Sequence, residues 1–247
     1  MSKIKLWGVA VDSVTLPRAV EIALTPTRTP RAVFTPNAVM LDACRRDPSL
    51  VALLNRATLS LPDGSGVLLA AKRAGTPLAE RVSGIAFGEA LMQKAAEINA
   101  RVFLLGGKPG VAARAAYRLR QRISNLRICG THHGYFQKHG TENDAVVEMI
   151  HAARPDILLV CFGFPLQEEW ICNNLPKFPF LRVVAGLGGS LDVWSGDLRR
   201  APRLIRVLGL EWAWRVLPDP KRWRQFPALL RIALTKKPKK AMGEDHD

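Results

Sequence analysis

Glycine, amide and carboxylate side chains crowd into the last third of this chain. Gly163-Phe164-Pro165-Leu166-Gln167-Glu168-Glu169-Trp170 is followed by Gly188-Gly189-Ser190-Leu191-Asp192-Val193-Trp194-Ser195-Gly196. Arg200-Ala201-Pro202 and Leu210-Glu211-Trp212 then lead into a basic tail. Glycines allow close backbone approach, an acid and amide that read as buried offer fixed hydrogen bonds, and spaced arginines bring charge. The combination suits a site that holds a sugar on one side and a phosphate on the other. Core packing needs none of it.

Further candidates stand at the ends of apolar runs. Asp63, in Leu61-Pro62-Asp63-Gly64-Ser65-Gly66, is placed either to act as a general base in a ligand cleft or to sit in a solvated Asp-Gly turn. Thr35 and Asn37 flank Pro36. Asn37 carries donor and acceptor together, which suits a sugar hydroxyl and equally suits a helix cap. Arg81, just before Val82-Ser83-Gly84, could grip a diphosphate bidentately or pair with a surface acid. Gly106 and Gly107 follow a strand-like run and precede a helix-like one. Their amides could cradle a phosphate, or form an ordinary turn. After Gly188 and Gly189, Asp192 could position a ligand hydroxyl or cap a helix. The histidines (132, 133, 139, 151, 246) lack metal-ligand spacing, and Asp245-His246-Asp247 is the only Asp-x-Asp string. No metal site is expected.

The elements that must position these residues alternate. Strands are expected at 32–35, 58–61, 101–105, 126–130, 157–162 and 182–185. Helices are expected at 38–46, 66–74, 87–97, 111–123, 142–153 and 167–175. Ile157 to Phe162 is apolar without alternation, as in strands buried on both faces of a parallel sheet. The fold class implied is α/β, a Rossmann-like and mostly parallel sheet flanked by helices, with its ligand beyond the carboxyl ends of the strands. We expect a core over residues 1–196, a basic amphipathic appendage over 197–236 and a disordered tail over 237–247. In the appendage, helices over 203–217 and 222–234 flank Pro218-Asp219-Pro220, with Arg224, Arg231 and Lys236 on the polar face.

With 247 residues, 48% of them hydrophobic, the chain can bury a real core. Its outlying value is a formal charge of +15, which calls for an anionic partner: nucleic acid, an acidic membrane face or a phosphorylated substrate. Thirteen Lys or Arg lie between Arg199 and Lys240 against only Glu211 and Asp219, so that segment carries +11 of the total. Cys44, Cys129, Cys161 and Cys172 have no CxxC spacing and sit in or beside apolar runs, which reads as buried thiols in a reducing compartment. No signal peptide or membrane span is evident. The chain is expected to be cytoplasmic, soluble or peripheral.

Taken together, these strings resemble the WecG/TagA/CpsF glycosyltransferase family from about Thr35 to Arg224. The matching segments are Thr35-Pro36-Asn37, Asp63 to Gly66, Glu80 to Gly84, Leu104 to Gly107, Gly163 to Glu168, Gly186 to Gly196, Arg200-Ala201-Pro202 and Leu210-Glu211-Trp212. The resemblance implies inverting transfer of a sugar from a UDP-sugar to a polyprenyl-diphosphate-linked sugar. That transfer takes place at the inner face of the cell membrane, in cell-surface polysaccharide synthesis. Neither a cofactor nor an obligatory metal is implied. Carried over position by position, Asp63 matches the general base, Thr35, Asn37 and Gln167 line the substrate pocket, and Arg81 faces the diphosphate. Arg215, Arg222 and Arg224 would reach the lipid-linked diphosphate. One departure stands out: many relatives carry an Asp shortly after the glycine matched by Gly84, where this chain has Ile85-Ala86-Phe87. That leaves the donor open among N-acetylhexosamine, its uronic acid and hexose.

Partners implied are the two substrates, an anionic membrane surface and a second copy of the chain. Rival readings are a catalytically inactive membrane scaffold and a nucleic-acid binder, the latter through cations interleaved with Trp212, Trp214, Trp223 and Phe226.

Overall fold

The computed structural model describes residues 2–199 together with Ala201, Pro202, Ile205, Arg231 and Ile232. In chain order the elements are β1 (Lys3–Leu6), β2 (Val9–Asp12), α1 (Leu16–Leu24), β3 (Arg31–Phe34), α2 (Ala38–Cys44), α3 (Pro48–Leu54), β4 (Leu59–Ser60), α4 (Ser65–Arg73) and α5 (Gly84–Glu97). They continue with β5 (Arg101–Gly106), α6 (Val111–Arg122), β6 (Arg127–His132), α7 (Gly140–Ala153), β7 (Ile157–Cys161), α8 (Leu166–Asn174), β8 (Val183–Gly186) and α9 (Ser190–Trp194).

Six strands form one parallel sheet in the order β4-β3-β8-β7-β5-β6. The unbroken apolar runs seen in the sequence are its centre: every residue of β7 and β8 is buried. Alternate side chains of β7 feed two separate cores. Ile157, Leu159 and Cys161 pack with residues of α1, α5, α6 and α9, whereas Leu158 and Val160 pack with residues of α2, α4, α7 and α8. A strand repeats every two residues, so a sheet covered on both faces needs apolar residues at every position. The expected Rossmann-like α/β class is observed.

Residues 1–31 carried no expected element, yet they hold the β1–β2 hairpin and α1. Trp7 and Gly8 both take positive φ, 48° and 84°, as the primed two-residue hairpin turn requires. This hairpin docks on the edge of the main sheet through Asp12, whose Oδ2 accepts from the Ser60 amide of β4 at 2.8 Å. Burial pushes the Asp12 carboxyl above its ordinary pKa, the Ser60 amide opposing. Helix α3 is likewise new. Asp47 caps it, accepting from the Ser49 amide at 2.9 Å, and a helix start between Arg46 and Pro48 is legible in hindsight.

Most of the C-terminal segment, including the expected helices over 203–217 and 222–234 and the tail over 237–247, lies outside the described residues. Two of its described residues, Arg231 and Ile232, meet the core. Ile232 is buried in the cluster formed by α2, α4, α7 and α8. Arg231, expected on a polar face, is exposed and binds Asp42 of α2 through Nε and Nη2, at 3.0 and 2.7 Å. The pairing has a simple cause. Asp42 is only 2% exposed, and a buried carboxylate must find cations; Arg46 at 3.1 Å and Arg45 at 3.9 Å complete the set. The Arg231 hydrogen bonds hold the Asp42 pKa below the usual carboxylate value, against the opposing effect of burial. A depressed pKa contributes stability above the unfolded value and loses it as pH falls. Asp42→Asn should therefore unfold at lower temperature than the wild type at pH 7, with the gap closing in acid; superimposed melting curves at pH 7 would remove the clamp from the account.

Candidate active site

Every conspicuous polar residue of the cleft sits where a strand of the sheet ends. After β3, the Thr35 hydroxyl donates to the Gly186 carbonyl at the end of β8 at 3.2 Å. Thr35 is buried, so it forms floor rather than wall. Asn37 caps α2, its Oδ1 accepting from the amides of Val39 and Met40 at 3.0 and 3.1 Å. The cap reading is therefore observed, and the cap uses only the carbonyl end of the side chain.

After β4, the Asp63 amide donates to Pro36 at 3.0 Å, which draws the acid beside Asn37. Gly64, with φ of 96°, turns the chain straight into α4. The Asp63 carboxylate is half-buried, and its Oδ2 lies 3.4 Å from the Gly84 amide at the start of α5. Asp63 is thus not a solvated turn residue: it is fastened between two helix starts. Arg81 is half-buried in the preceding loop, which is stitched to the Asp63 loop by the Val82 amide donating to Pro62 at 3.0 Å. Ser83 caps α5, accepting from the Ala86 amide at 3.3 Å, and Ile85 is buried.

The expected buried pair is Gln167 and Glu168, 3% and 0% exposed. Gln167 lies flat against β8, which only Gly186 permits: a methyl there would stand 3.0 Å from Nε2. Its Oε1 accepts from the Gly163 amide at 3.3 Å and the Gly188 amide at 2.9 Å. One amide oxygen thereby joins the loops that leave β7 and β8. Its Nε2 donates to Glu168 Oε1 at 2.8 Å. Burial pushes the Glu168 carboxyl up to about 7, the Gln167 hydrogen bond opposing.

Beside this cluster opens a cavity of about 680 Å³, inside the size range of small-ligand sites. Gly107, Lys108, Lys138, Gly163, Gly188 and Asp192 are among the residues that line it. Its position follows from topology: the chain passes outward from β5 to β6 but the opposite way from β7 to β8. Adjacent strands whose connections diverge leave a crevice at their carboxyl ends. Asp192 reaches it from the first turn of α9, whose cap is Gly189; the helix-cap reading of Asp192 does not hold. Helix α9 is seated by Trp194, whose ring rests against Gly88 of α5, where a methyl would come within 2.7 Å.

Gly106 and Gly107 had two readings, a phosphate cradle and an ordinary turn. The Gly107 amide donates to the Cys161 carbonyl at 3.2 Å, so it is spent on the neighbouring strand rather than on a phosphate. Gly106, at φ of 141°, passes so close to the Cys161 backbone that any side chain would collide with it. Both bring β5 and β7 together at the crevice, and Gly107 still lines the cavity. Arg215, Arg222 and Arg224 lie outside the described residues.

Sequence reading missed the far wall, residues 134–138. There Lys138 Nζ donates to the carbonyls of Gly134 and Phe136 at 2.6 and 2.7 Å and sits over the rings of Phe136 and Phe162, at 3.7 and 4.4 Å. Burial lowers its pKa, with Glu142 opposing. The available signal was a lysine among aromatics just after a strand, which fits a folded loop as readily as a solvated one. Three of the four thiols are buried as expected, Cys44, Cys161 and Cys172, whereas Cys129 is only half-buried; burial pushes Cys161 up to about 12. Among the described residues, no group of three His, Cys, Asp or Glu side chains could hold a metal, and no helix is long and apolar enough to cross a membrane.

A parallel α/β sheet with an acid, an amide-tied pair of glycine loops and a cavity at its topological switch point defines an enzyme of the doubly wound class, acting on a small ligand. The family model described as "Glycosyl transferase WecG/TagA/CpsF family" matches residues 4–241, and the chain belongs to that family. It is a glycosyltransferase. It is similar to the N-acetylglucosaminyldiphosphoundecaprenol N-acetyl-beta-D-mannosaminyltransferases of Staphylococcus aureus strains MRSA252 and MW2. With each it shares 35% identity over 225 residues, which span 90% of this chain and 87% of the relative.

Proposed function

We propose that this enzyme transfers N-acetylmannosamine, or a closely related sugar, from a UDP-sugar to a polyprenyl-diphosphate-linked N-acetylglucosamine during cell-surface polysaccharide synthesis. The observation that carries the reading is the loop from Gly186 to Asp192. On one side it meets Thr35 and Gln167 of the Asp63 cluster; on the other, Gly188, Gly189 and Asp192 line the cavity. The donor lies in the cavity, and the acceptor hydroxyl approaches from Asp63. That oxygen attacks the anomeric carbon, its proton passes to the Asp63 carboxylate, and the bond from the anomeric carbon to the phosphate oxygen breaks with its electrons leaving on UDP. In-line attack of this kind inverts the anomeric centre.

Charge developing on the leaving diphosphate needs preorganised cations and dipoles. Lys108 at the cavity and Arg81 beside the Asp63 loop are within the described fold; Arg215, Arg222 and Arg224 serve the lipid-linked diphosphate. The basic segment from Arg199 to Lys240 holds the protein against the anionic cytoplasmic face of the membrane, each cation near the surface contributing about 1 kcal/mol. A second copy of the chain joins it there, and nucleic acid is not a partner.

The test is UDP release from a panel of UDP-sugars, with a short-chain polyprenyl-diphosphate-GlcNAc acceptor, in EDTA and again with divalent metal restored. Acceptor-dependent release from UDP-N-acetylmannosamine is expected. Release from another donor alone would correct the sugar, and silence across all donors, metals and lipid acceptors would favour an inactive scaffold.

A further inference from the structure

Gln167 can tie two loops with one oxygen only while its amide faces the right way. A primary amide turned by about 180° would set its NH₂ against the Gly163 and Gly188 amides, donor against donor, and the tie would be lost. Neither loop is held by a strand ladder at that point, and both glycines take positive φ, 88° and 55°. The two glycine amides favour the observed orientation, and a group at the far end of the amide can lock it.

That group is Glu168. Neighbouring side chains on a helix point about 100° apart and do not ordinarily meet, yet Glu168 Oε1 stands 2.8 Å from Gln167 Nε2. Glu168 is fully buried, and among the described residues its second oxygen, Oε2, has no hydrogen-bond partner. An apolar side chain would fill the same space without the cost of desolvating a carboxyl. An acceptor there adds to the hold of the two glycine amides, because a turned Gln167 would set its oxygen against Glu168 Oε1. Because burial raises its pKa to about 7, the carboxyl takes up a proton readily. The proton belongs on Oε2, since Oε1 accepts from Gln167 in either state.

We infer that Glu168 is a positioning residue: its Oε1 locks the Gln167 amide so that one oxygen ties the Gly163 and Gly188 loops, and the tie fixes the mouth of the cavity between them. The inference rests on the donor-pocket reading only where it touches ligand affinity. Glu168 does not contact substrate. It acts two bonds away, through Gln167, on loops that both line the cavity.

Backbone hydrogen exchange on the full chain tests it, following peptides that contain Gly163 and Gly188, with residues 157–161 of β7 as the folded reference. In Glu168→Met both loops should exchange at least about tenfold faster than in the wild type while β7 keeps its protection. In Glu168→Gln, whose carbonyl can still accept from Gln167, both loops should stay near wild type. Unchanged loop exchange in Glu168→Met overturns the inference. So does loss of loop protection in Glu168→Gln, which decides the matter even if the methionine variant does not fold. Calorimetric titration with UDP runs alongside, with affinity expected to fall about tenfold in Glu168→Met and to be rescued in Glu168→Gln. A wild type that binds no UDP would refute the donor pocket, yet the exchange data would still settle the part played by Glu168.

Discussion

Asp63→Asn is expected to lower turnover by about 10²–10⁴-fold, the range for loss of a general base, with UDP affinity unchanged and the chain still folded. The separation of effects follows from the geometry. The Asp63 carboxylate touches the Gly84 amide only weakly, at 3.4 Å, and an asparagine carbonyl can accept the same hydrogen bond. Backbone pairing of Asp63 with Pro36 is indifferent to the side chain. What asparagine cannot do is take a proton from an attacking hydroxyl. Acceptor-dependent UDP release measures the first quantity, and a UDP titration with a melting curve measures the others. Turnover close to wild type would take Asp63 out of the chemistry.

The second large effect is on stability. Glu168 has its pKa raised from 4.5 to about 7 by burial, and at about 1.4 kcal/mol per unit the shift corresponds to about 3 kcal/mol. Its sign is set by proton counting. Between pH 4.5 and 7 the folded protein holds a proton on Glu168 that the unfolded chain has lost, so stability falls as pH rises through that window and then levels off. Glu168→Gln has no proton to lose. The variant should therefore gain on the wild type by about 3 kcal/mol between pH 4.5 and 8, read from urea unfolding midpoints at a series of pH values. Parallel midpoints across the series would show that Glu168 is charged as readily in the fold as in water. The stability cost at neutral pH is the counterpart of its work on Gln167: the position keeps an acceptor where an apolar residue would be more stable.

Much of the fold was legible because its strands are buried on both faces. Ile157 to Cys161 and Val102 to Gly106 carry no polar side chain, a pattern that survives any choice of neighbours. Helices α2, α4, α5, α6, α7 and α8 lie within a few residues of where periodicity puts them. The hairpin at Lys3–Asp12 was not legible, because four-residue strands around Trp7-Gly8 offer too short a pattern. Helix α3 escaped because it is only seven residues long and follows α2 after only three.

At the site, residue types and strand-end positions read true, whereas bonding did not. Thr35, Asn37, Asp63, Gln167, Gly188 and Asp192 do gather at one end of the sheet. Of the two readings open for Asn37 the structure shows the helix cap, the Gly107 amide belongs to Cys161, and Lys138 closes a wall whose sequence signal fitted a solvated loop equally well.

The sequence by itself determined the class of sheet, the glycosyltransferase family and the stations along the chain where chemistry sits, because periodicity and motif are local properties. Tertiary structure alone decided which atom each polar group binds. Thr35 meets Gly186 across 151 residues and Arg231 meets Asp42 across 189; the strand order β4-β3-β8-β7-β5-β6 places the crevice between strands far apart in the chain. A buried donor or acceptor must find a partner wherever the fold brings one. That partner is set by packing in three dimensions, which no spacing along the chain encodes.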